Sequence, residues 1–561
     1  MKRLLVLFIL FFAFNVFAQL RLSYEKVEVA LENAADVVRS LTAPTGLEVS
    51  GTITPVTKSY FDKLVDEIRT QKNLIHLDLS KVEGLKEIES KKFVRCKNLT
   101  GIVIPDSVTT IGENAISGCF NLIDVTLGNG VTTIEERVFK GCENLRRVIF
   151  GKNVKTIKKG AFANCDNLTN VEIPDSVTTI EKDAFVGCYN LTNVTFGNGV
   201  TTIEEYAFTS YHNLRSIVIP DCVITIKEGA FQNCNNLRNV TLGNGVTTIG
   251  KCAFDDCDNL RNVTLGKNVA IIGVGAFTNC DNLRSIVIPD SVETIGKSAF
   301  KNCDNLRNVT LGNGVTTIEE VAFADCDNLR NIVIPDSVIT IGKSAFEICD
   351  NLTDVTLGKN VTTIEEVAFG DCDNLKNIVI PDSVITIGKF VFDDCNNLTN
   401  VTLGKNVAII GYGAFGNCDN LRSIVIPDSV TSIGKAAFSY CKDLGKFEVG
   451  INNKRYSSSD DGKILYNKDK TELIAYPSAF EKVIISNNVT IIGDAAFRGC
   501  KKLTSVVIPD SVTTIREYAF SYCENLKTVN YKGTAEQWKK ISIGLGNEYL
   551  TNATINYNYS E

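Results

Sequence analysis

The chain has 561 residues, 44% of them hydrophobic and 22% charged, with a formal net charge of −7. That length exceeds what a single hydrophobic core serves, so several domains or a repeat array are expected. An acidic balance gives no support to a nucleic-acid partner, which would favour a basic patch or stripe.

The first segment, residues 1–18, reads as a signal peptide. Lys2 and Arg3 precede the apolar run Leu4 to Phe17, and Val16-Phe17-Ala18 offers small residues at −3 and −1 of a cleavage point before Gln19. A membrane anchor would need about 18–20 apolar residues with a stop-transfer flank. No later stretch is long and apolar enough to span a bilayer. A secreted or cell-surface protein with no integral membrane segment after signal cleavage is therefore expected. Residues 19–73 should form an N-terminal cap with one amphipathic helix, because Tyr60, Phe61, Leu64, Val65 and Ile68 recur at helical spacing.

A strict period then sets in over residues 74–444. Cys96, Cys119, Cys142, Cys165 and Cys188 lie 23 residues apart, Tyr211 fills one beat, and Cys234 to Cys441 continue the series. Phe139 to Phe438 and Ile111 onward keep the same time. In Cys303-Asp304-Asn305-Leu306-Arg307-Asn308-Val309-Thr310-Leu311 the last residues alternate apolar and polar. That marks a strand with Val309 and Leu311 inward and Thr310 outward. A glycine turn follows, then Val315, Ile318 and the Ala322-Phe323 pair before Cys326. One such unit cannot bury its own apolar face, so neighbours must stack. The predicted fold is a leucine-rich-repeat solenoid, a parallel β-ladder arc of about 18–19 repeats of 23 residues, each strand about 4.8 Å from the next.

The turns carry a second rhythm. Ile-Pro-Asp-Ser-Val mostly alternates with Gly-Asn-Gly-Val or Gly-Lys-Asn-Val, a super-period of 46 residues broken at Val240–Val269. That near-identity reads as duplication of a two-repeat unit. Residues 445–482 interrupt the array and are expected to form a β-hairpin insertion. Residues 483–530 hold the terminal repeats, and 531–561 a C-terminal cap with Trp538 buried.

The consensus L-x-x-I-x-I-P-x-x-V-x-x-I-x-x-x-A-F-x-x-C, met by Leu283 to Cys303 at every apolar position, resembles the BspA-like, or treponemal, class of leucine-rich repeats. The resemblance covers about Leu74 to Tyr531. Ser457 to Pro477 is similar to the family's hairpin insertion, and Tyr531-Lys532-Gly533-Thr534 with Gln537-Trp538 to its C-terminal closure. Gly46–Thr54 with Leu77-Asp78-Leu79-Ser80 is similar to the leading cap of spirochaete members. The resemblance implies an exported protein associated with adhesion to host proteins and other cells.

Little in the sequence points to catalysis, and no cofactor or metal is expected. Two histidines, His76 and His212, sit on different repeats; the first reads as an exposed strand residue, the second as a turn substitution. The nineteen cysteines contain no C-x-x-C pair, so buried free thiols are the favoured reading over a disulfide ladder. Off-beat Cys222 and Cys252 could pair or react. Asp258, Asp281, Asp304 and Asp327 run beside Arg261, Arg284, Arg307 and Arg330, and mutual ion pairing at a solvated edge is expected.

The candidate contact surface is the outward row of the strands on the concave face: Thr126, Thr195, Thr241, Thr264, Val287, Thr310, Val333, Thr356, Val379, Thr402 and Val425, with Val218 in the same series. Such a polar, uncharged row suits an extended extracellular protein or glycan. The competing reading is a passive surface coat, the row reflecting only β-propensity.

Overall fold

An apolar–polar alternation ending in a glycine or proline turn makes a short strand with one buried and one exposed side. Here such strands recur every 23 residues and pair in parallel, Ser285 opposite Asn308, Ile286 opposite Val309 and Val287 opposite Thr310. The computed structural model, which describes residues 25–55 and 57–560, is accordingly a leucine-rich-repeat parallel β-solenoid of about 23 turns. The signal-peptide reading of residues 1–18 lies outside the described residues. Among the described residues no helix is long and apolar enough to cross a membrane. The chain divides into two units, Met1–Gly199 and Val200–Glu561.

One coil of the second unit shows the plan. Asn308–Thr310 belongs to a wide ladder and Thr317–Ile318 to a narrow one, after which the chain runs through Ala322 and Phe323 to Cys326. Val309, Leu311, Val315, Ile318, Phe323, Cys326 and Leu329 are all buried. Consecutive phenylalanine rings stack, with centroids 5.2 Å apart from Phe300 to Phe323 and 5.4 Å from Phe323 to Phe346. Burying each ring contributes about 2–3 kcal/mol before the stacking itself is counted.

The third side of the coil is unlike a strand. Val321 and Asp325 adopt φ of 60° and 57°, a left-handed conformation that is costly for a β-branched valine. The amides of Val321, Phe323 and Asp325 then all donate in one direction, to the carbonyls of Lys343, Ala345 and Glu347 on the next coil, at 2.8, 2.8 and 2.9 Å. The thiol answers in the opposite direction: Cys326 Sγ donates to the Phe300 carbonyl at 3.3 Å, as Cys303 does to Phe277 and Cys349 to Phe323. All nineteen cysteines are free, and burial pushes the Cys303, Cys326 and Cys349 thiols far above their ordinary range. The beat thus selects a small apolar side chain that also satisfies a buried carbonyl.

The alternating turns interlock. Asp290 of an Ile-Pro-Asp-Ser turn accepts from the Asn313 amide of the following glycine turn at 2.7 Å; Asp336 and Asp382 accept likewise from Lys359 and Lys405. A Cβ on Gly314 would lie 1.9 Å from the Asp290 carbonyl oxygen, so glycine lets this turn approach its neighbour closely, while Asn360 and Asn406 hold the same place in the Gly-Lys-Asn turns. Where two glycine turns meet, Asn244 takes the aspartate's part and accepts from the Lys267 amide at 3.2 Å. The 46-residue rhythm thus sets an aspartate turn beside a glycine turn, and two glycine turns can also pack together with asparagine as the acceptor.

The N-terminal cap differs from expectation. Residues 25–83 form β1 (Glu25–Ala30), α1 (Leu31–Ser40), β2 (Thr45–Thr52), α2 (Lys58–Thr70) and β3 (Leu74–Glu83), with the three strands parallel in one sheet. There are two amphipathic helices instead of one. Leu31, Ala34, Ala35 and Val38 of α1 are buried, as are Phe61, Leu64, Val65 and Ile68 of α2. The Phe61 ring meets Phe93 edge-on at 6.4 Å.

The segment after Cys441 is also richer than one hairpin. Lys446–Val449 continues the wide ladder in parallel with Ser423–Ile426. Tyr456–Ser458, Leu465–Asn467 and Glu472–Ala475 then form a three-stranded antiparallel meander, whose last strand joins the narrow ladder beside Ile491–Ile492. Lys482–Ile484 returns to the wide ladder. Strands without a cysteine beat, three in the front cap, one here and Thr554–Asn556 at the end, raise the turn count above the 18–19 expected.

At the C-terminus Thr534 and Gln537 form a capping box, and Trp538 is buried against Tyr531 at 5.1 Å. The last forward-pointing amides find acceptors in this cap: Tyr518 donates to the Leu545 carbonyl at 2.7 Å and Phe520 to Asn547 Oδ1 at 2.9 Å.

Candidate interaction surface

The wide ladder places the expected contact row side by side. In the second unit nine strands, from Ser216–Ile219 to Asn400–Thr402, form one continuous sheet. Val218 lies opposite Thr241, Thr241 opposite Thr264, Val287 opposite Thr310, Val333 opposite Thr356, and Val379 opposite Thr402. Val425 lies opposite Glu448 in a separate two-stranded sheet. In the first unit Thr126 lies opposite Val103 and Ile149, and Thr195 opposite Glu172. Thr126 is half-buried and the other ten candidates are exposed. The five valines are 50–63% exposed, so methyl-rich and hydroxyl-bearing positions alternate along the row.

The residues leading into each strand have three separate duties. Asparagine of the Asp-Asn-Leu triplet builds a ladder: the Asn282, Asn305 and Asn328 amides donate to the Asp258, Asp281 and Asp304 carbonyls, each at 2.8 Å. The preceding aspartates stack on one another, and burial, then the neighbouring Asp304 and Asp258 carboxylates, raise the Asp281 carboxyl above its usual range. The arginines after leucine form a third row. The expected ion pairs between the two charged rows do not exist: among the described residues Asp258, Asp281, Asp304 and Asp327 make no salt bridge to Arg261, Arg284, Arg307 or Arg330. Only other aspartates act on Asp281 and Asp327 as charges. In the first unit the same register opens a groove of about 390 Å³ lined by Asn98, Asn121, Asn144, Thr100, Ile123 and Arg146 among others.

Five overlapping stretches, 86–215, 155–284, 201–330, 270–389 and 316–445, and a separate sixth, 474–559, match the BspA type leucine rich repeat region. The chain belongs to that family. A leucine-rich repeat protein from Bacteroides ovatus is 26% identical with a TM-score of 0.52, covering 66% of this chain and 88% of that one. A leucine rich cell surface protein from Faecalibacterium prausnitzii is 26% identical over 66% of this chain and 90% of its own, with a TM-score of 0.36. The T. pallidum leucine rich repeat protein is 25% identical over 33% of this chain and 77% of its own, with a TM-score of 0.26. Of the three, the Bacteroides structure is the one whose superposition bears on the fold. No match was found among curated proteins.

Within these BspA-type repeats, no group of three His, Cys, Asp or Glu among the described residues could hold a metal ion. His212 is exposed, whereas His76 is half-buried: a Cβ on Gly101 would strike its ring at 2.2 Å. That close packing corrects the expectation of an exposed His76. Cys222 and Cys252 are half-buried and form no disulfide, and burial raises the Cys252 thiol. The unpaired arginine row and the left-handed third side escaped sequence reasoning. The arginine spacing was visible, but only the coil geometry tells which way the side chains leave it.

Proposed function

We propose that this BspA-type repeat protein is an exported interaction scaffold, an adhesin that holds an extended host or neighbouring-cell protein along the wide-ladder row. One observation carries the reading. Val218, Val287, Val333 and Val379 keep 61–63% of their surface in solvent on a single hydrogen-bonded sheet with threonines in register between them. An ordered row of exposed valines and threonines on one sheet marks an interaction site more often than scattered exposed valines do. The leader-like residues 1–18 and the adhesive associations of the family agree with export. We read the chain as a binding protein without catalytic or cofactor chemistry.

The test places charge and bulk in the row. Thr310→Arg with Thr356→Arg leaves the inward Val309, Leu311 and Val355 untouched, and exposed substitutions shift stability by about 0.5 kcal/mol or less. Capture of matrix proteins or whole cells should be lost. Lys297→Glu with Lys343→Glu, away from the row, should bind as wild type does. Undiminished binding by the double-arginine variant sinks the assignment and leaves the passive-coat reading standing.

A further inference from the structure

The arginine row of the second unit is the strongest feature the contact row does not absorb. Arg215, Arg238, Arg261, Arg284, Arg307 and Arg330 are all exposed and succeed one another every 23 residues. The backbone ties them directly: the Arg238 amide donates to the Arg215 carbonyl at 2.8 Å, Arg261 to Arg238 at 2.9 Å, Arg284 to Arg261 at 3.4 Å and Arg307 to Arg284 at 2.9 Å. Six guanidinium groups are therefore rooted at the strand spacing of about 4.8 Å. Screening acts over about 8–10 Å, twice that interval, so adjacent charges repel each other.

Many of the other repeating cations are neutralised. Lys227 pairs with Glu204 at 2.7 Å, Lys251 with Glu228 at 3.0 Å and Lys297 with Glu320 at 2.8 Å. Among the described residues none of the six arginines has a salt bridge. A repeated, uncompensated charge of one sign calls for a ligand of the opposite sign and similar repeat. We propose that this row binds a linear sulfated polysaccharide.

Chemistry favours that occupant. A guanidinium fork matches the paired oxygens of a sulfate or carboxylate. In such glycans these groups recur with nearly every sugar ring, a rise comparable to the strand spacing. Beside the arginines, exposed Asn239, Asn262 and Asn308 offer amides for sugar hydroxyls. A single-stranded nucleic acid would need aromatic platforms for its bases. The neighbouring positions are Asn, Ser, Thr and Val. The acidic net charge belongs to the chain as a whole, and among the described residues no carboxylate forms a salt bridge with any of these six arginines.

The experiment measures the full-length protein on a heparin surface against salt. Six charge contacts should weaken binding on the order of 10³-fold between 50 and 200 mM salt. Arg261→Gln/Arg284→Gln/Arg307→Gln should bind at least about tenfold more weakly at 50 mM and lose only on the order of 10²-fold over the same salt range. The triple Arg→Lys variant at these positions should retain most of the binding, which controls for folding. Lys251→Gln/Lys297→Gln/Lys343→Gln removes the same charge elsewhere and should bind as wild type does. Desulfated heparin, which keeps only its carboxylates, should bind far more weakly, and equal binding overturns the proposal. The proposal is overturned if wild type ignores heparin at 50 mM salt, if both glutamine triples weaken it equally, or if a single-stranded oligonucleotide binds as tightly. Thr310→Arg/Thr356→Arg leaves this row intact, so loss of a protein partner there and loss of heparin here are separate outcomes.

Discussion

The second unit builds one kind of coil from two kinds of sequence. From Phe231 to Phe369 the rings stack 5.2–5.4 Å apart, and each thiol reaches the carbonyl of the phenylalanine 26 residues earlier. Between Cys441 and Cys500 the period fails, yet a coil is still made. Tyr476 stands where phenylalanine would, its ring 5.0 Å from Phe497 and its amide donating to the Ala496 carbonyl at 2.8 Å. Ser478, buried, meets the Cys500 thiol at 3.7 Å in place of a cysteine, and Cys500 also reaches the Tyr476 carbonyl at 3.7 Å. Periodic structure therefore needs a ring on a ring and a small donor beside it, and the periodic sequence is one way of supplying them.

If that equivalence holds, removing either ring should do similar damage. Phe323→Ala and Tyr476→Ala are each expected to cost about 3–5 kcal/mol. Because coils touch mainly their neighbours, hydrogen exchange should rise around residues 300–346 in the first variant and 473–520 in the second. A mild Tyr476→Ala would show the irregular coil to be a surface attachment and break the comparison.

Protonation should separate the two regions by sign. Burial, then Asp394, raises the Asp393 carboxyl in the array to about 6, above the unfolded value near 3.9. The native state there holds its proton more tightly, so stability should fall as pH rises from about 4 to about 6. The loss should be on the order of 1 kcal/mol after solvent screening, and absent in Asp393→Asn. In the insertion Asp461 accepts from Ser459 Oγ at 2.7 Å and the Lys463 amide at 3.1 Å, which hold it down at about 2. Its contribution is present above about pH 4 and should fade as pH falls towards 2, absent in Asp461→Asn. Denaturant midpoints between pH 2 and 7 check both; slopes of the same sign would refute the contrast.

The smallest effect should come from making the irregular coil more regular. Ser478→Cys restores the side chain of the array and should change stability by less than about 1 kcal/mol. A larger loss in a melting curve would mean that the hydroxyl has a duty the thiol cannot take over.

What was legible in the sequence was whatever the period selects by burial. Val309, Leu311, Ile318, Phe323 and Cys326 fell inside as the alternation required, and Thr310 and Val333 outside. The second cap helix was missed because Leu31, Ala34, Ala35 and Val38 are small or few, in a segment without the beat. The left-handed backbone at Val321 and Ile348 was invisible, since valine and isoleucine argue against it. Only the amides that must reach the next coil impose it. Of the candidate surface, the residues were readable but their company was not: sign and spacing suggest pairing of aspartate with arginine, and among the described residues no salt bridge joins the two rows.

The one-way amides of the third side bear on how such a chain can evolve. From Tyr206 to Asn417 each coil hands these donors to its successor; at the irregular coil Tyr440 reaches the Arg498 carbonyl, and at the end Leu545 and Asn547 answer the last coil. A 46-residue pair of coils, with its aspartate turn and its glycine turn, can thus be copied into the array or deleted from it with every donor still met. Genes of this design can lengthen or shorten by unequal recombination between caps that stay single-copy. The length of the row offered to a ligand then becomes a heritable variable, independent of the chemistry at each step.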